Sequence, residues 1–161
     1  MNEELLSLVQ TQIVNELNNA RLYLSASNWF DFTGYFNLAK LYRKYYEEEL
    51  THHDKIIEYL LDRNIKPYTM TAEEPQCEFK SVREIVELTV TREESTTDHW
   101  NAIWSKALLV KDILTVKKAD WFVAEQIEEL SKAYNFLDKL NLTGDDKIGL
   151  TLFDQWVGEQ L

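Results

Sequence analysis

Residues 45–57 read YYEEELTHHDKII, and the placing of Glu49 and His52 inside an apolar stripe is the most informative feature of the chain. The two residues are three apart, so on a helix they point the same way. Around them Leu38, Tyr42, Tyr45, Ile56 and Tyr59 recur in alternating steps of four and three. Glu49 and His52 continue that row, so the pattern turns them toward the interior. Burying a carboxylate costs several kcal/mol unless a partner compensates it. A metal ion is the natural candidate, provided other helices bring ligands to the same level.

The breakers are few and clustered. Both prolines, Pro67 and Pro75, lie in one segment, and the glycines are Gly34, Gly144, Gly149 and Gly158. Residues 2–33, 35–66 and 76–143 are therefore free of them, and helical periodicity runs through each. The pattern predicts an all-α chain forming a single domain over 1–161, with helices at about 3–31, 38–63, 82–110, 113–140 and 146–157. Asn2 is the expected cap of the first helix and Ser81, with Glu84, of the third. Asn64 closes the second in a left-handed turn. The break between the third and fourth falls near Lys111 and Asp112. Residues 65–81, IKPYTMTAEEPQCEFKS, carry no periodicity. Their 17 residues can reach ~56 Å, against ~40 Å for the second helix. The segment can cross the whole bundle, which predicts four-helix topology with a long crossover and a short fifth helix. That last helix carries Ile148, Leu150, Leu152, Phe153, Trp156 and Val157 on more than one side, which implies burial against another subunit.

Each long helix carries acids near its midpoint, and midpoints meet at one level whichever way a helix runs. On the first, Glu16 interrupts the row Leu6, Val9, Ile13, Ala20, Tyr23, Ser27, Phe30. On the third, Glu93 interrupts Val82, Val86, Thr89, Thr96, Trp100, Ile103, Ala107. On the fourth, Glu125 and Glu129 share the side of Phe122, Ala133, Phe136 and Leu140, with Glu128 one row over. Singly, a glutamate on a helix is ordinary solvated surface. Together, four buried acids exceed the available cations, because Arg21, Arg43 and Arg92 lie off the inward rows. Hard oxygen ligands with one imidazole suit iron, manganese or zinc, and carboxylate bundles hold two such ions.

Composition narrows the class of protein. A net charge of −11 opposes phosphate and so argues against nucleic acid as partner. The single Cys77 forms no internal disulfide and fits a reducing compartment. MNEELLSLVQ lacks the regions of a signal peptide, and no apolar run approaches the ~20 residues of a membrane span. The expectation is a cytoplasmic protein.

In order, NELNNARLYLS (15–25), EEELTHH (47–53), VTREES (90–95), WFVAEQIEE (121–129) and KLNLTGDD (139–146) resemble the non-haem bacterial ferritins over nearly the whole chain. The resemblance implies a ferritin-like five-helix subunit, a homo-oligomeric shell of 24 subunits, and iron storage with oxidation of Fe(II) by O2 or H2O2. Carried onto this chain, Glu16, Glu49 and His52 would bind a first iron. Glu49 would bridge to a second iron held by Glu93 and Glu129, with Gln126 as weaker ligand or hydrogen-bond donor. Glu48, Glu125, Glu128 and Glu129 match a third iron position. Tyr23 and Trp121 match aromatic residues flanking the iron pair, and Asp112 and Asp120 are candidate pore residues.

Bacterioferritins differ by a second Glu-x-x-His, where this chain has Gln126-Ile127-Glu128-Glu129, and by a haem-binding methionine, where this chain has Leu50. No haem is therefore expected. Mini-ferritins lack the fifth helix and build their site between subunits. A rubrerythrin-type diiron peroxidase or oxygenase would carry CxxC pairs, which Cys77 alone cannot supply. A structural bundle of buried ion pairs is the remaining alternative. His53 and His99 have no role in this scheme and are expected to face solvent.

Overall fold

A computed structural model describes all 161 residues and contains five helices: α1 (Glu3–Thr33), α2 (Phe36–Asp62), α3 (Val82–Leu109), α4 (Ile113–Thr143) and α5 (Lys147–Gln160). No helix is long and apolar enough to cross a membrane. The ends are set by capping chemistry. Asn2 accepts from the Leu5 N–H at 3.0 Å. Ser81 accepts from the Glu84 N–H at 3.1 Å, while the Glu84 carboxylate reaches back to the Lys80 N–H, one residue before the cap. Asp112 caps α4 and Asp146 caps α5. Between α3 and α4 the chain turns on Lys111 at φ 58°, and Asn64 takes φ 56° after α2. Gly34, at φ 93°, ends α1 where a side chain would be strained.

Several ends lie beyond the periodic pattern. α4 continues through Asn141, Leu142 and Thr143, three residues past Leu140, until Gly144 stops it. α1 continues to Thr33 and α5 to Gln160. α2 starts at Phe36 rather than Leu38, and its own cap residue, Tyr35, offers no side-chain acceptor. Asp154 of α5 supplies one: Oδ1 accepts from the Leu38 N–H at 2.9 Å and Oδ2 from the Asn37 amide at 3.1 Å. A long-range carboxylate thus caps a helix that has no local cap.

The crossover 65–81 runs beside α1 in the same direction. Gln10 bonds Lys66 and Tyr68, Asn18 bonds Glu73, and Ser25 bonds Gln76. The chain is thereby carried from the end of α2 to the level of its start, where Phe79 and Val82 pack with Phe30 and Leu38. α3 consequently runs parallel to α2.

The apolar core comes in two halves. One joins Phe30, Leu38, Tyr42, Val86, Leu140 and the α5 residues Phe153 and Val157. The other joins Leu5, Ile13, Ile56, Trp100, Ile103 and Phe122. α5 caps the first half but leaves Ile148 75% and Leu152 53% exposed on its outer side.

Candidate metal centre

Between the two apolar halves lies a buried polar layer. Glu16 comes from α1, Glu49 and His52 from α2, Glu93 from α3 and Gln126 from α4, all nearly inaccessible to solvent. Glu129 of α4 is partly buried beside them. Three sets of side chains place one ligand atom from each member within 4.8 Å of the others: Glu16, Glu49 and His52; Glu49, Glu93 and Glu129; and His52, Glu125 and Glu129. Glu49 belongs to two sets, so the first two share a carboxylate. The His52 ring faces both ways, with Nδ1 4.0 Å from Glu16 Oε2 and Nε2 3.8 Å from Glu129 Oε1.

Hydrogen bonds hold some of these oxygens and leave others free. Glu16 Oε1 accepts from Gln12 Nε2 at 2.7 Å and from Trp100 Nε1 at 3.2 Å. Glu93 accepts from the Tyr23 hydroxyl and, at 3.1 Å, from Gln126 Nε2. By contrast Oε2 of Glu16, of Glu49 and of Glu129 is buried with no partner at all. Unsatisfied buried carboxylate oxygens are costly and rare.

The electrostatics follow from that crowding. Burial, then the Glu16 and Glu93 charges, push the Glu49 carboxyl far above the usual range. Burial with Glu93 and Glu16 pushes Glu129 up to about 9. Burial also raises Glu93, although the Tyr23 and Gln126 hydrogen bonds pull the other way. Burial lowers His52 despite the nearby Glu16 carboxylate, which keeps the imidazole neutral and its lone pair available. Burial and the Glu93 charge hold the Tyr23 phenol protonated, so it serves as a donor.

A cavity of about 20 Å³ opens within the layer, lined by Tyr23, Glu48, Glu49, Glu93, Glu129 and Lys132. That is room for about one water molecule. Tyr45, Glu48 and Lys132 also line a second space, about 300 Å³, that reaches Trp156 and Leu161 at α5.

Other residues singled out in the sequence sit apart from the layer or at its rim. Glu128 is exposed and joins none of the three sets: one residue from Glu129 on a helix is a turn of ~100°, which carries it outward. Trp121 is 37% exposed, its ring edge-on to His52 at 5.9 Å and its face covered by Lys55. Asp112 pairs with Arg63, and Asp120 accepts from Trp104 at 2.7 Å. His99 is half-buried rather than solvent-facing, its Nε2 3.0 Å from the Leu8 carbonyl. His53 is likewise half-buried, against Asp54. Sequence reasoning missed the hydrogen bonds that Gln12 and Trp100 donate to Glu16. Gln12 is four residues before Glu16, a helical turn away, and that spacing was the available signal.

The chain is similar to known proteins over nearly its whole length. Residues 6–143 match the family described as ferritin, ferritin-like domain. A probable bacterial non-heme ferritin-like protein of Haemophilus influenzae is 32% identical over 158 residues, covering 98% of this chain and 96% of that one. The bacterial non-heme ferritin of Campylobacter jejuni is 32% identical, covering 98% and 94%. The open pore ferritin of Archaeoglobus fulgidus superposes with a TM-score of 0.93 at 30% identity, over 98% of this chain and 96% of that one. Fold and site together define a ferritin-like carboxylate bundle. The chain belongs to the ferritin family.

Proposed function

We propose that this protein stores iron, taking up Fe(II), oxidising it at the buried layer and passing Fe(III) on for mineralisation. One observation carries the reading: Glu16, Glu49 and Glu129 each keep a buried oxygen without a partner, and each shares a ligand set with the neutral His52 and no cation. A hydrogen-bonded structural core would have paired them. One cation beside His52 satisfies Glu16 and Glu49, a second beside Glu93 satisfies Glu49 and Glu129, and carboxylate with imidazole suits iron.

In this reading Glu16, Glu49 and His52 hold one Fe(II), and Glu93 and Glu129 a second, with Glu49 bridging. Two metals held together let two one-electron oxidations serve one molecule of O2 or H2O2. Tyr23 and Gln126 fix the Glu93 carboxylate by donating to it. The third position falls to Glu125 with His52 and Glu129, with Glu48 at the rim. The apolar outer side of α5 supports assembly into a closed shell, for which the expected number is 24 subunits in the cytoplasm.

The test is stopped-flow oxidation of Fe(II) with stoichiometric metal, paired with light scattering of the purified particle. A burst of two irons per subunit on a large shell is the expected result. Oxidation no faster than in buffer would overturn the reading.

A further inference from the structure

Glu16 differs from its neighbours in that one of its oxygens is fully used and the other not at all. Gln12, completely buried, donates Nε2 to Oε1. The Gln12 amide is itself oriented, because its Oε1 accepts from Asn15 Nδ2 at 3.2 Å, which turns the nitrogen toward Glu16. Trp100 donates Nε1 to the same Glu16 oxygen. An indole has no other polar group, so this is the only hydrogen bond the ring can make. A carboxylate oxygen offers about two lone-pair sites, and two donors fill them. Oε2 is left bare, facing His52 Nδ1.

The ring that makes this bond is held in turn. Trp100 stacks on Phe122 with centroids 3.9 Å apart and planes 7° from parallel. Phe122 meets the His52 ring edge-on at 5.8 Å. One aromatic stack, built from α3 and α4, therefore touches a ligand from α1 and a ligand from α2.

We propose that Trp100, with Gln12, is a positioning residue: the two occupy Glu16 Oε1 so that Glu16 binds metal through Oε2 alone. The proposal rests on the metal-centre reading above. Loss of either donor frees Oε1, and the carboxylate then rotates or binds through both oxygens.

The experiment is a Co(II) titration of the intact assembly, followed by d–d absorption, for the wild type, Trp100→Phe, Gln12→Met and the double variant. The melting temperature of each metal-free protein serves as the folding control. Trp100→Phe keeps an aromatic ring on Phe122 but lacks the N–H; Gln12→Met keeps the volume but lacks the amide. Each is expected to weaken the first Co(II) about 10-fold, the usual scale for groups that orient a ligand. The d–d absorptivity should fall as Glu16 adds its second oxygen. Unchanged isotherms and spectra in the folded variants would overturn this role and leave the metal centre standing. If Trp100→Phe fails to fold, Gln12→Met decides by the same criteria. A wild type that binds no Co(II) would overturn both readings.

Discussion

Where α2 ends and α4 begins, Arg63 donates to Asp112 at 2.8 Å and also to Tyr59 and Thr115. In the middle of the same bundle, Glu16, Glu49 and Glu129 crowd together and three of their oxygens have no donor. Both regions gather charged side chains from two or more helices. The first is complete within the chain, with a cation, a carboxylate and two hydroxyls closing on one another. The second lacks a positive partner of its own, since Lys132 stands only at the cavity rim. The difference separates a cluster that fastens helices from one shaped to receive an ion.

The sharpest way to break the comparison is to remove the shared carboxylate. Glu49→Ala should slow stoichiometric Fe(II) oxidation by about 100-fold or more, ~2.7 kcal/mol on the barrier. Asp112→Ala should leave that rate within twofold of the wild type. Equal rates for Glu49→Ala and wild type would remove the metal centre.

Stability should respond the other way round. Arg63→Ala leaves Asp112 partly buried without its charge partner and should cost about 2 kcal/mol, lowering the melting temperature by roughly 5 °C. Thermal melts of the metal-free protein measure this.

The two regions should also have opposite pH dependences. Burial would raise Asp112, but hydrogen bonds from Arg63 and Thr115 outweigh it and hold the carboxyl below its usual range. Its contribution is present above the unfolded carboxylate range and is lost as pH falls through the lowered native value. Glu129, raised to about 9, contributes fully below the unfolded range and loses that contribution as pH rises toward 9. Metal-free protein should therefore melt at lower temperature at pH 9 than at pH 6. Glu129→Gln should flatten that slope, and bound Zn(II) should abolish it.

Smaller effects divide the acids around the layer. Glu48→Ala should leave the first turnover intact and alter progress curves over many additions of iron. Glu128→Gln should change neither, because that side chain faces outward.

Much of this organisation was legible in the sequence because helical spacing carries it. All eight residues of the row from Val82 to Ala107 are buried, Glu93 among them. Glu16, Glu49 and His52 lie on equally regular rows. On α4 spacing already separated Glu125, Glu128 and Glu129, the middle one lying one row over from the other two. The structure turns the first and last inward. Contacts between distant residues left no trace in periodicity. Asp154 capping α2, Gln10 and Asn18 pinning the crossover, and His99 meeting the Leu8 carbonyl each join positions more than 50 residues apart.

The crossover also shapes how the chain reaches its native state. α1 with α2, and α3 with α4, are helical hairpins closed by a few residues each, so each can form from local contacts in short times. Their mutual docking waits on residues 65–81 laying themselves along α1, a closure whose entropy must be met before Gln10, Asn18 and Ser25 find their partners. Two fast hairpins followed by one slow docking step is the expected folding order. The polar layer, which receives ligands from both hairpins, would be assembled only at the end.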